Sequence, residues 1–156
     1  MLILEWVTAY QASTEAFLDL AASVGESDLD RRHPDGWSAR QVIHHMADSE
    51  AQSYARLRRL LTEPEGSVIQ GYDEDAWARA AILGYEVLPV HRSIAVTRAV
   101  RESSLDIITR LTEADLSRFG VHTESGHYSV DTWLHTYVQH PLDHADQLRR
   151  ALAGEL

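Results

Sequence analysis

Four long segments of this chain repeat apolar residues at intervals of three and four. That spacing sets one side of a helix against a core and limits the chain to helix-on-helix packing. The first segment runs roughly from Ile3 to Val24, with Ile3, Val7, Tyr10, Thr14, Phe17, Ala21 and Val24 on one face and Gly25 as its stop. The second begins after the loop "DRRHPDGW". Ser38 reads as its N-cap, with Gln41 completing a capping box, and the helix runs to about Leu61, before Pro64. Val42, Met46, Leu57 and Leu60 form its stripe. A third long helix starts near Pro89 and reaches about Leu111, with Ile94, Leu105, Ile108 and Leu111 inward. The last is capped by Ser129 and extends to about Leu152. Its stripe is Val130, Trp133, Leu134, Tyr137, Leu148 and Leu152.

The connections are less regular. A short helix is expected around Asp73 to Ala80, and a cap-and-turn at Thr112 to Asp115. "FGVHTESGHY" reads as a loop with at most brief extended pairing. Little else signals strand. The expectation is an all-α chain folded as one domain over residues 1–156, a four-helix bundle. The long middle connection allows a topology other than simple up-down-up-down.

Composition narrows the chemistry. The chain has no cysteine, so disulfides, thiolate ligands and a cysteine nucleophile are excluded. All 14 basic residues are arginine, which excludes a lysine Schiff base. Twenty-four acidic residues leave a net charge of −10, against nucleic-acid binding through phosphate neutralisation. "MLILEWVTAY" lacks the features of a signal peptide, and no stretch approaches the ~20 apolar residues of a membrane span. A soluble cytoplasmic protein is expected.

The nine histidines are the residues most open to a chemical reading. His140 and His144 lie four apart beside the stripe of the last helix, one turn from each other, a spacing that suits two ligands of one metal. In "VIHHMADSE", adjacent helical residues diverge by about 100°. His45 lies at the stripe's edge near Ser49 and Gln52, while His44 turns to the polar side as an exposed or outer residue. So many histidines make a four-residue spacing a common coincidence, and an inward histidine is often only a packed one. His33, His91, His122 and His127 read as surface residues, and His135 as solvated. Pro141 lacks a backbone N–H, so it should free the carbonyl of Tyr137 and bend the helix beside the two histidines.

Three stretches together, "GWSARQVIHHMADSEAQSYARLRRLLTE" (36–63), "GYDEDAWA" (71–78) and "YVQHPLDHADQL" (137–148), resemble the DinB-like superfamily, most closely its YfiT-like branch of metal-dependent hydrolases and bacillithiol transferases. The resemblance implies an up-down-down-up four-helix bundle, often a homodimer. It implies a divalent metal, zinc or nickel, held by three histidines at the positions of His45, His140 and His144. It also points to a low-molecular-weight thiol such as bacillithiol or mycothiol as cosubstrate. Pro141 and Asp143 depart from the family pattern without removing a ligand. Asp143 reads as a solvated helix residue or a base.

Three imidazoles leave coordination positions open, which marks a catalytic rather than a structural site. A bound water attacking an amide or ester and an external thiol attacking an electrophile both remain open, as does a bundle that binds without turnover. Asp48, one turn beyond His45, is the candidate catalytic carboxylate, to orient a ligand or accept a proton. Arg56 is expected to pair with an internal acid or meet an acidic substrate. Tyr54, Tyr72, Asp73 and Trp77 are assigned to packing of the middle connection.

Overall fold

The structure, a computed structural model, describes residues 1–156. Its long helices are α1 (Ile3–Ser23), α2 (Ala39–Thr62), α4 (His91–Ile108) and α5 (Val130–Ala153), with the short α3 (Glu74–Arg79) in the middle connection. The caps behave as their sequences require. Ser38 Oγ accepts from the Gln41 amide, and Gln41 Oε1 accepts from the Ser38 amide. Ser129 Oγ accepts from the Thr132 amide, and Asp73 from the Ala76 amide. Gly25 is not the left-handed stop expected: α1 ends at Ser23, with Val24 extended and Gly25 at φ −69°. The left-handed terminator belongs to α5, where Gly154 has φ 74°.

Side-chain contacts fix the directions of the helices. Trp6 of α1 meets His135 of α5, and Phe17 and Leu18 share a cluster with Ala145 and Leu148, so α1 and α5 run parallel. His45 meets His144 while Trp133 Nε1 donates to the Ser53 carbonyl, so α2 and α5 are antiparallel. His44 meets Ser93 and Arg58 meets Ser103, so α2 and α4 are parallel. The order is up-down-down-up. Each helix packs on two neighbours, and the diagonal pairs are α1 with α2 and α4 with α5.

Two apolar clusters fill the bundle. One gathers Trp6, Tyr10, Leu57, Leu60, Trp133 and Tyr137; the other gathers Phe17, Leu18, Val42, Ile43, Met46 and Leu148. Between them lies a polar layer that the sequence did not announce. Arg101 of α4 and Glu50 of α2 pair at 2.7 Å with both side chains wholly buried. Thr14, Ser13 and the carbonyls of Tyr10 and Tyr137 take the remaining guanidinium donors, and Ser53 bonds Glu50. A buried charge pair persists only when its other donors and acceptors are satisfied in this way.

The segment 119–128 carries the brief extended pairing that its sequence allows. β2 (Phe119–His122) and β3 (Gly126–Ser129) form an antiparallel hairpin, and β1 (Val68–Ile69) pairs parallel to β2. Gly120 makes that pairing possible, since a Cβ there would stand 2.6 Å from the Ser67 carbonyl oxygen. The two-residue β1 was too short to show a period-two pattern. No helix is long and apolar enough to cross a membrane.

Candidate metal centre

The antiparallel seam of α2 and α5 brings together residues 45, 140 and 144. His45 Nε2 lies 3.1 Å from His144 Nε2, which lies 3.0 Å from His140 Nε2. The three ligand atoms are mutually within 4.8 Å. A tetrahedral ion with bonds of about 2.0–2.1 Å would separate its nitrogen ligands by roughly 3.3 Å, so small adjustments convert this cluster into a coordination face. His45 is wholly buried, and the other two are half-buried.

The protonation pattern suits that use. Burial, reinforced by His144, pushes the His45 imidazole down to about 3. Burial and then the neighbouring His144 and His45 push His140 well below the ordinary histidine range. Burial also lowers His144, against opposing pulls from Gln147 and Asp143. Neutral imidazoles are the form that ligates metal. His144 Nδ1–H donates to Gln147 Oε1 at 2.7 Å, which keeps the lone pair on Nε2, directed at the other two rings. The Trp37 ring packs against His45 with centroids 5.1 Å apart, and Ser49 Oγ stands 3.3 Å from His140 Nε2. The donor set, its protonation and its spacing all fit a divalent ion.

Asp48 is directed elsewhere. Its carboxylate accepts a hydrogen bond from the Tyr85 hydroxyl and lines a separate cavity of about 270 Å³ with His44, Leu88 and Ser93. It is not one of the groups that converge with the imidazoles. The carboxylate nearest the cluster is Glu74, whose Oε2 lies 4.0 Å from His45 Nε2. Burial, then Asp75 and Glu124, raise the Glu74 carboxyl above the usual carboxylate range. Glu74 sits inside "GYDEDAWA", but only the fold of the middle connection over α2 brings it to the histidines.

His44 corrects the expectation of an exposed residue. It is only 6% exposed. Its Nε2–H donates to the Leu88 carbonyl at 3.0 Å, which leaves Nδ1 to accept from the Ser93 hydroxyl at 2.7 Å. Arg40 Nη1 donates to the same carbonyl. The middle connection and the start of α4 cover the face of α2 that looks polar in sequence, so His44 anchors them and does not meet the three rings. His122 is also buried rather than superficial. It ends β2, and its Nδ1 accepts from the Glu124 and Ser125 amides of the hairpin turn. Arg56 pairs with no acid. It donates to the Tyr137 hydroxyl and the Gln70 carbonyl, tying α2 to α5 and to the middle connection. Asp143 is exposed and accepts from Gln139. His135 is exposed apart from its contact with Trp6.

Comparison with known proteins gives a consistent picture. The model of the DinB superfamily matches residues 9–148. A protein of Oceanobacillus iheyensis named "Putative metal-dependent hydrolase" is 31% identical over 92% of this chain and 82% of its own length. A relative of the same description in Halalkalibacterium halodurans is 26% identical over 94% of this chain and 84% of its own length. Among solved structures, YfiT from Bacillus subtilis superposes with a TM-score of 0.84 at 26% identity, over 94% of this chain and 83% of that one. It is described as a probable metal-dependent hydrolase with an unusual four-helix bundle topology.

Proposed function

This chain belongs to the DinB superfamily, and from that premise we propose that it is a metal-dependent enzyme of small-molecule substrates, with His45, His140 and His144 holding zinc or nickel. The observation that carries the reading is the convergence of three imidazole nitrogens, one wholly buried and two half-buried, from opposite ends of the chain, with proton affinities lowered by burial. Imidazole donors suit either ion. An ion held by three protein ligands supplies Lewis acidity at its open positions, towards water or an external thiol.

The chain's own groups complete the arrangement. Gln147 fixes the tautomer and ring orientation of His144. Trp37 shields His45 from water. The Ser49 hydroxyl lies beside His140 Nε2. Glu74, not Asp48, is the carboxylate placed to hold a proton at the open side, at Oε2.

Hydrolysis is the reading that the names of the relatives favour. Thiol transfer is the second. A cavity of about 340 Å³ borders His144 and Gln147, large enough for a cosubstrate rather than a water alone, and a chain without cysteine needs its thiol from outside. The implied homodimer and cytoplasmic setting belong to the same proposal, and light scattering of the purified protein reads the first.

The test is metal analysis of the purified protein and of its His→Ala variants, followed by screens with ester and amide substrates and with thiols plus electrophiles. Turnover abolished by chelation and restored by metal supports the enzyme. Metal retained in the triple variant refutes the ligand assignment, and tight binding without turnover makes the protein a binding module.

A further inference from the structure

The cavity bordering the three-histidine cluster has walls of nearly one sign. Asp35, Asp75 and Glu155 bring three carboxylates to it, with Glu74 beside them as the group placed to hold a proton, against the single guanidinium of Arg150. That guanidinium is already held by Asp146 at 3.0 Å. The arginine ion pairs of the protein use Asp28, Glu86, Glu26, Asp30, Glu63, Glu50 and Asp146, none of them a wall carboxylate. The imbalance exceeds that of the chain, where 24 acidic residues face 14 basic ones. The same cavity presents Trp37 together with Ala151 and Leu156, so its lining is anionic, aromatic and apolar at once. Carboxylates beside an indole attract an ammonium by charge and by the ring quadrupole, and they repel a carboxylate or phosphate.

We propose that this cavity selects a substrate or cosubstrate bearing a cationic, ammonium-type group a few bonds from the atom delivered to the three histidines, and that it turns away anionic molecules. The proposal rests on the metal reading above and deepens it. Asp35, Asp75 and Glu155 act as specificity determinants, with Trp37 as the aromatic wall.

Three small thiols of similar length test it: 2-(trimethylammonio)ethanethiol, 2-mercaptoethanol and 2-mercaptoethanesulfonate. The quaternary ammonium cannot chelate, so charge is the variable. Each is titrated into cobalt-loaded protein, and affinity is read from the sulfur-to-cobalt absorption band. The same series is run on the Asp75→Asn/Glu155→Gln variant, whose changes are at exposed positions, after its cobalt content and circular dichroism are checked. Intrinsic differences in thiol acidity cancel between the two proteins.

The expected result is cation over neutral over anion in the native protein. The cation-to-anion affinity ratio should fall roughly tenfold or more in the variant, and also in the native protein at 1 M salt. A ratio unchanged by the variant, or an anion that binds best, overturns the proposal while leaving the metal site intact. A protein that takes up no cobalt overturns the metal reading and this proposal together.

Discussion

Arg101 Nη2 donates to the backbone carbonyl of Tyr137 at 3.0 Å. Pro141 stands four residues on and has no N–H to offer that oxygen, so a side chain from α4 fills the gap in the α5 ladder. The helix continues unbroken through the proline to Ala153 and carries His140 and His144 on its next turns. The same guanidinium neutralises Glu50, so one residue repairs the helix and balances a buried charge.

Arg101→Met should therefore be costly, by about 3–5 kcal/mol, because it leaves the buried Glu50 carboxylate without its counter-charge, with only Ser53 bonding it. Part of that cost belongs to the Tyr137 carbonyl. Pro141→Ala restores a helical donor to that oxygen, so the Arg101 loss should shrink by about 1 kcal/mol in the Pro141→Ala background. Urea unfolding of the four proteins in this double-mutant cycle measures the coupling. A coupling of zero would mean that the bond to Tyr137 adds nothing to stability.

The adjacent histidines should part company. His45→Ala removes one of three converging nitrogens and should empty the metal site, abolishing the rise in melting temperature on metal addition. That rise corresponds to about 2.7 kcal/mol when metal is at a hundredfold its Kd. His44→Ala should leave metal stoichiometry intact and cost about 1–3 kcal/mol, because Ser93 loses its acceptor and the Leu88 carbonyl keeps only Arg40. Elemental analysis alongside thermal unfolding separates the two effects. Equal metal loss in both variants would refute the asymmetry.

The four helices, the N-caps Ser38 and Ser129 and the inward turn of His45 follow from local rules, so a single sequence carries them. Periodicity and N-cap chemistry are properties of a few neighbouring residues. The fate of His44 is not local. Its wheel position faces the polar side of α2, and only the packing of Leu88 and Ser93 across it decides that it is buried. Glu74 and the Arg101–Glu50 pair are not legible in the sequence for the same reason, since their partners are distant in the chain. Asp48 shows the converse limit of sequence proximity. One turn from His45 is close in sequence, but its carboxylate accepts from the Tyr85 hydroxyl and is not among the groups that converge with the imidazoles.

Acid should weaken the metal-free fold before ordinary carboxylates titrate. His45, His140 and His144 all have proton affinities lowered by burial, with His45 at about 3. Their unfolded value is about 6.5. Above that pH both states are neutral and stability is flat. Below it the unfolded chain binds protons that the fold refuses, so stability falls by about 1.4 kcal/mol per pH unit for each such histidine until the folded value is reached. Between pH 6.5 and 5 the urea midpoint of the native protein should drop more steeply than that of a His45→Gln/His140→Gln/His144→Gln variant. Parallel slopes would show that these three rings do not hold out against protonation.

Gln147 offers the most selective probe of how the site is built. Its Oε1 takes the Nδ1 proton of His144 and so commits Nε2 to the cluster. Gln147→Leu has similar bulk but no acceptor, and it leaves every ligand in place. Affinity for zinc should fall by about 10–100-fold, while saturating zinc still reaches the native stoichiometry. Competition titration against a zinc-sensitive dye gives both quantities in one experiment. Gln147→Glu keeps an acceptor and should restore most of the affinity, which a purely steric role would not anticipate. Native affinity in the leucine variant would mean that the backbone and packing of α5 alone orient His144.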